Sequence, residues 1–326
     1  MHGQTRESRT SAEAQHASRN DLTDLVKPTL DPIKAAWLWT MILSALLIGL
    51  STISWTSFGI AALIAFPTLC IGHSVGLHRG IIHQSYRMPR WVFVLLSEIA
   101  ALTGMGGPLS WARYHAVRDY WQNHAAPPSA FRYDHSILRD FWLVLHCRFE
   151  ASSDASEQAE ADRELLAAHH ELAISRLPKG LLEDRWLRFL ECTWPLHTLA
   201  LAIIVALTLG PSAIPTVICG RIAGGLLVHW FVAYAGHVWG ERRAEVEGAR
   251  ESGTNVWVLG VMTFGEGFHS NHHVRPNAAQ IGERWWEFDV GWYVIWCFAK
   301  LGLVRDVLSF GDARAVAVEA SAGSSR

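Results

Sequence analysis

Residues 35–72 read AAWLWTMILSALLIGLSTISWTSFGIAALIAFPTLCIG, 38 residues without one Asp, Glu, Lys or Arg. A membrane-spanning helix needs roughly 20 apolar residues, so this run is long enough for two. Polarity rises at Trp55-Thr56-Ser57-Phe58-Gly59, which sets the break and predicts helices over 35–54 and 57–77. A second apolar region runs from Cys192 to Gly240, interrupted only by Arg221. Its break at Gly210-Pro211-Ser212-Ala213-Ile214-Pro215 predicts helices over 192–209 and 214–237. The fold class expected is therefore an all-α integral membrane protein with four transmembrane helices in two hairpins. Arg221, inside the fourth helix, is costly unless it snorkels or faces a polar interior.

Charge placement orients the hairpins. The turns 51–58 and 210–215 carry no Lys or Arg, whereas 78–190 carries 13 of the 28, the first 34 residues 5, and the region after Gly240 9. Basic residues stay on the cytoplasmic side, so both termini and a helical cap (78–190 and 241–308) are expected in the cytoplasm, of a bacterium or beneath the endoplasmic reticulum. Trp37, Trp39, Trp55, Trp194 and Trp239 lie near helix ends, as an interfacial belt requires. The polar first 34 residues lack the apolar core of a signal peptide.

The whole chain of 326 residues is 50% apolar and 18% charged, with mean hydropathy +0.14 and net charge −2. That balance excludes a disordered chain and gives no basic surface for nucleic acid. Five scattered Cys without a CxxC pair exclude a disulfide scaffold and a Cys-type zinc site. Segment 91–103 is too short to span and reads as buried or interfacial. Segment 151–178 reads as a solvated helix or loop, and 286–303 as an amphipathic surface helix. One domain over 31–308 is expected between mobile tails at 1–30 and 309–326.

The 17 His are the chemical signal. His78 and His83 follow the second membrane helix. His115 lies in Trp111-Ala-Arg-Tyr-His115, and His237 ends the fourth membrane helix. Gly265-Glu-Gly-Phe-His269-Ser-Asn-His272-His273 places three imidazoles at i, i+3 and i+4, one face of a helix. The i,i+5 pair His78/His83 subtends about 140° on an α-helix, which suits opposite sides of a two-metal centre. Neutral imidazole suits iron, copper, nickel and zinc. Several imidazoles per metal beside a lipid suggest a redox metal that activates oxygen. His16, His73, His124, His135, His146, His197 and His229 read first as surface or packing residues.

These residues resemble a known family, the integral-membrane acyl desaturases of the stearoyl-CoA (delta-9) type, over roughly 35–305. The resemblance rests on His78-Arg-x-x-x-His83-x-Ser85-Tyr86, Trp111-x-x-x-His115 and Gly236-His237-x-Trp239-Gly240. It continues through Asn255-x-Trp257, Thr263-Phe-Gly-Glu-Gly-Phe-His269-x-Asn271-His272-His273, Pro276-Asn-Ala278, and Trp286-Glu-Phe-Asp289 with Trp292-Tyr293-Val294-Ile295. The resemblance implies cytoplasmic His boxes, two irons held by nine His, O2 as cosubstrate, and two electrons from cytochrome b5 or a ferredoxin with its reductase. The substrate it implies is an acyl chain on CoA, on a carrier protein or in a lipid. By carry-over the metal ligands and catalytic residues are His78, His83, His115, His237, His269, His272 and His273. Glu266 and Asn271 are then residues that orient the ligands.

The chain departs from the family in its second box. His-x-x-His-His becomes His115-Ala-Val-Arg118-Asp119, and the family Asn four residues before His237 is Ala233. Segment 120–134 is about six residues longer than the family's, by comparison of the motif spacings. Asp119 is a candidate oxygen ligand, unless Arg118 pairs with it, and His124 is a candidate substitute ligand. Arg118 cannot ligate, since a guanidinium stays protonated. The remaining seven imidazoles suffice for one iron and allow two. Desaturation is the leading reading. The competitors are a related lipid hydroxylation, and a lipid-binding membrane protein that has lost a working metal pair.

Overall fold

The computed structural model describes residues 22, 25–150, 157–243 and 245–313. In chain order its helices are α1 (Pro32–Thr52), α2 (Trp55–Ile82), α3 (Arg90–Ala101), α4 (Pro108–Gln122), α5 (Ile137–His146) and α6 (Glu157–Ser175). There follow α7 (Arg185–Leu209), α8 (Pro211–Val238), α9 (Trp257–Met262), α10 (His269–Val274) and α11 (Val290–Lys300). Helices α1, α2, α7 and α8 are long and apolar enough to cross a membrane. They form the two hairpins expected from the sequence.

Local chemistry sets their ends. The Asp31 carboxylate accepts from the backbone N–H of Ile33 and Lys34, with Pro32 at the first helical position. Ser54 and Ser57 form a reciprocal capping box at the start of α2. Asp184 caps α7 through the N–H groups of Trp186 and Leu187, so that helix begins at Arg185, seven residues before the expected 192. Gly210, at φ 89°, ends α7, and Pro211 opens α8. The second helix also runs past the expected 77. Its half from Phe66 to Ile82 is wound as a π-helix and carries His78 inside it.

Leu46, Leu47, Leu50, Leu63, Leu196, Leu199, Ile203, Ile204 and Leu207 stand exposed along the spanning helices. On a water-soluble protein such a surface would drive association; in a bilayer it is the solvent-facing surface. Behind it, Met41, Val205, Val217, Ile218 and Ile222 pack as a core between the hairpins. Helix α3 lies against α2 so closely that a Cβ on Gly72 would sit 2.5 Å from the backbone nitrogen of Ala100. Since α2 and α8 both start at the short inter-helix connections, their C-terminal ends lie together at the opposite end of the bundle. There α4 and α10 bring His115, His269, His272 and His273 to them.

Three expectations need correction. Residues 27–30, read as tail, form strand β1 (Lys27–Leu30), which pairs antiparallel with β2 (Cys147–Glu150). The helix expected over 286–303 is shorter. Asp289 caps it by accepting from Trp292 N–H at 2.9 Å, so α11 starts at Val290. Glu287, ahead of the cap, is buried rather than on a surface face. Segment 151–178, read as a helix or loop, is a helix over Glu157–Ser175, and its start at 151–156 lies outside the described residues, as do 1–21, 23–24 and 314–326 of the tails.

Candidate metal centre

The π-winding of α2 decides how the first His pair is used. His83 N–H donates to the His78 carbonyl at 3.0 Å, an i→i+5 bond. A wider turn brings residues five apart onto one side, so the two rings lie 4.8 Å apart between centroids. The α-helical angle would have sent them to opposite sides; the structure corrects this. They join His115, from α4, and His272, from α10, in a group whose ligand nitrogens all lie within 4.8 Å of one another. The Nε2 atoms of His83 and His115 are 2.8 Å apart. An Asp119 carboxylate oxygen sits 3.2 Å from His115 Nε2 and 3.8 Å from His83 Nε2.

His237, His269 and His273 form a second group. His269 Nε2 lies 3.1 Å from His237 Nε2 and 3.0 Å from His273 Nε2. The triplet on α10 therefore does not converge on one point. Positions i+3 and i+4 diverge by about 100° around a helix, and His272 serves one group while His269 and His273 serve the other. The two groups adjoin, with His269 and His272 rings 5.9 Å apart.

Both groups suit a cation. A neutral imidazole has one N–H and one lone pair, so lone pairs aimed at one another repel unless a positive ion lies between them. His78 Nε2 and both ring nitrogens of His272 are buried without a hydrogen-bond partner. The donor set, imidazole with one carboxylate, suits iron. Burial pushes the rings of His269 and His272 well below the usual histidine value, and neighbouring rings add to this. His83 and His273 are lowered to about 4, again chiefly by burial. All four are thus neutral, as ligands must be. For Asp119 burial acts upward, but the His115, His272 and His83 rings outweigh it and hold the carboxyl well below the usual carboxylate range.

The supporting residues sort differently from expectation. Glu266 lies against a ring, its carboxylate 2.9 Å from His78 Nδ1 while the other oxygen accepts from Ser74 Oγ at 2.5 Å. Among the described residues Asn271 makes no hydrogen bond to an imidazole. Its amide donates to the Ile281 carbonyl and to Glu287, both at 2.9 Å, and its oxygen accepts from Asn255, so it fixes α10 rather than a ring. Arg118 does not pair with Asp119: its guanidinium donates to the Tyr133 hydroxyl, and Tyr133 stacks flat on His237 at 4.1 Å. His124 reaches neither group. Its ring packs against Tyr120, Trp121 and His169, because α4 ends at Gln122 and the chain turns away there.

Sequence reasoning missed Trp111 as a support, which stacks on His115 at 4.9 Å. It missed Asn123, whose Oδ1 lies 3.3 Å from His273 Nδ1, and Tyr133, although both sit in the lengthened segment that departs from the family. It also missed Arg79, buried beside His78. Arg79 bonds Asp289, the Ala279 carbonyl and the Phe264 carbonyl, binding the end of α2 to the loops around α10. Gly265 lies at φ 104° under that guanidinium, a backbone position that favours glycine.

An apolar cavity of about 700 Å³ leads away from the two groups between α1, α2 and α8. His73, His229, Val232 and Glu266 line both this cavity and the small space beside the imidazoles. His73 and His229 face each other at 5.1 Å and belong to neither metal-type group.

The chain matches the sequence model described as fatty acid desaturase over residues 53–295. It is 30% identical over 291 residues to the sn-1 stearoyl-lipid 9-desaturase of Synechocystis sp., covering 86% of this chain and 82% of that one. It is 29% identical to the sn-2 palmitoyl-lipid 9-desaturase of Nostoc sp. (78% and 83% covered) and 27% identical to the sn-1 stearoyl-lipid 9-desaturase of Anabaena variabilis (79% and 86% covered). Apolar hairpins, imidazoles gathered at one end of them and a match over most of the sequence lead to one assignment: the chain belongs to the fatty acid desaturase family.

Proposed function

We propose that this membrane-bound fatty acyl desaturase-like oxidoreductase removes two hydrogens from adjacent carbons of a lipid-borne acyl chain, with iron as its metal and O2 as its oxidant. The observation that carries the reading is the junction of two buried imidazole groups with an apolar cavity between spanning helices. The relatives named as acyl-lipid desaturases support a lipid carrier for the chain.

In this reading His78, His83, His115 and His272, with Asp119, hold one iron, and His237, His269 and His273 hold a second. Iron held there supplies the activation of O2 that breaking an unactivated C–H bond requires. The substrate loses two hydrogens; O2, with two further electrons and two protons, ends as two waters. The electrons come from an external donor, cytochrome b5 or a ferredoxin with its reductase. Glu266 holds His78 by its Nδ1–H and leaves Nε2 free to ligate. Trp111 fixes the His115 ring from its face. The cavity wall aligns the chain and keeps water from it.

The termini and both imidazole groups face the cytoplasm in this reading. Its support is the excess of Lys and Arg on that side of the bundle. An impermeant maleimide should label Ser212→Cys on intact cells and Arg113→Cys only after lysis, in a chain lacking the exposed Cys192 and Cys297. The reverse pattern would invert the orientation.

Expression in a host with few acyl species, followed by mass spectrometry of total lipids, tests the reaction. A new chain lighter by two hydrogens is expected; a chain heavier by one oxygen would make the enzyme a hydroxylase. His272→Ala should abolish the product and lower bound iron, and unchanged product from that variant would reject the assignment.

A further inference from the structure

Arg221 sits in α8, deep between the ends of a spanning helix, and is 6% exposed. It lines the apolar cavity. Its Nη1 makes one long contact to the Thr68 hydroxyl at 3.4 Å, and its Nε and Nη2 have no partner at all. Among the described residues no ion pair involves it. A guanidinium has five donors and no acceptor, and at bilayer depth it is retained at cost unless something answers it. It does not snorkel, since it is buried and turned to the cavity. The other polar residues of the wall, His73, Ser74, Thr216, His229, Thr263 and Glu266, make no hydrogen bond or ion pair with it, and the rest of the wall, Leu46, Ala62, Leu69, Gly224 and Val228 among it, offers no acceptor.

We propose that Arg221 receives an acceptor oxygen carried on the alkyl chain that occupies the cavity. Arg221 lies eight residues before His229, or roughly 12 Å along the helix. His229 marks the end of the cavity next to the imidazoles. The oxygen is therefore held about that far from the reacting end, and it fixes how deeply the chain is inserted. Such an oxygen has two sources, a carboxyl-derived group at the head of the chain or a hydroxyl at its tail. The proposal rests on the reading of this cavity as the place of the acyl chain.

Native mass spectrometry of the detergent-solubilised full chain, with hexadecane, hexadecanoate and 16-hydroxyhexadecanoate as probes, tests it. Wild type should bind at least one of the two oxygenated probes about tenfold or more tighter than hexadecane, and Arg221→Met should erase that margin. An equal Arg221-dependent margin for both acids identifies the head carboxylate; a margin for the hydroxy acid alone identifies the tail hydroxyl. An unchanged margin in Arg221→Met overturns the proposal, and Arg221→Leu, which likewise has no donor, is read the same way should the Met variant not accumulate. Gly224 has open space where a side chain would project, so Gly224→Leu should weaken all three probes while leaving bound iron as in wild type. If Gly224→Leu weakens none of them, the cavity is not the chain's place, and that reading falls separately from the role of Arg221.

Discussion

Arg118 and Asp119 are adjacent in sequence, yet they act on different groups. The Asp119 carboxylate points at His83 and His115, while the Arg118 guanidinium reaches Tyr133, whose ring lies on His237. A carboxylate beside imidazoles strengthens a cation site, and a guanidinium near one opposes it. The two metal positions should therefore be unequal. Asp119→Ala should weaken iron at the four-His group by about 10–100-fold, the scale on which even outer partners of ligands act. Arg118→His should do the reverse for the three-His group and raise iron per chain. Elemental analysis after a chelator wash measures both, and equal retention in wild type, Asp119→Ala and Arg118→His would contradict the assignment.

At the scale of the element, the π-wound half of α2 and its contacts hold the site together. Gly72 is the point of closest approach to α3, where any added carbon meets backbone and not a side chain that can move aside. Gly72→Leu should cost about 1–3 kcal/mol, as overpacking typically does, and should displace the helix that carries His78. The Arg79–Asp289 pair is a second tie. Arg79 and Asp289 are 1% and 2% exposed, and the same carboxylate caps α11. Removing one partner strands a buried charge, so Asp289→Ala should cost about 3–5 kcal/mol. Denaturation of the detergent-solubilised protein measures both losses; a Gly72→Leu chain as stable as wild type would mean that the helices can separate there without penalty.

At the scale of the whole molecule, burial keeps a set of histidines neutral. His83, His169 and His273 are held near 4, against an ordinary value of 6.5, chiefly by burial. Between those two pH values the unfolded chain binds more protons than the folded one, so stability rises with pH across that window and is lost as pH falls through it. The metal-free protein should show a flat thermal midpoint from about pH 8 to 6.5 and a falling one below. A midpoint that rises on acidification would mean that these rings are charged in the fold.

The amino-acid sequence by itself determined the four spans and the two hairpins, and it singled out the seven histidines that the structure gathers into two groups. Hydropathy and residue type are local properties: a run of apolar residues has one stable place, and a neutral imidazole carries a lone pair that can ligate a metal. It did not determine the division of those histidines. His78 and His83 share a group because α2 is π-wound, and His272 parts from His269 and His273 because α10 sits between two clusters. Nor did it separate Asp119, turned to the imidazoles, from His124, turned away nine residues after His115. Partners such as Trp111, Asn123, Tyr133 and Arg79 come from separate elements and meet the imidazoles only in the packed molecule. Arg221 was legible as an anomaly in an apolar helix, but only the packing of α1, α2 and α8 gave it a cavity to face. Which side chains meet is decided by helix winding and by contacts across the chain, and neither is written in the local order of residues.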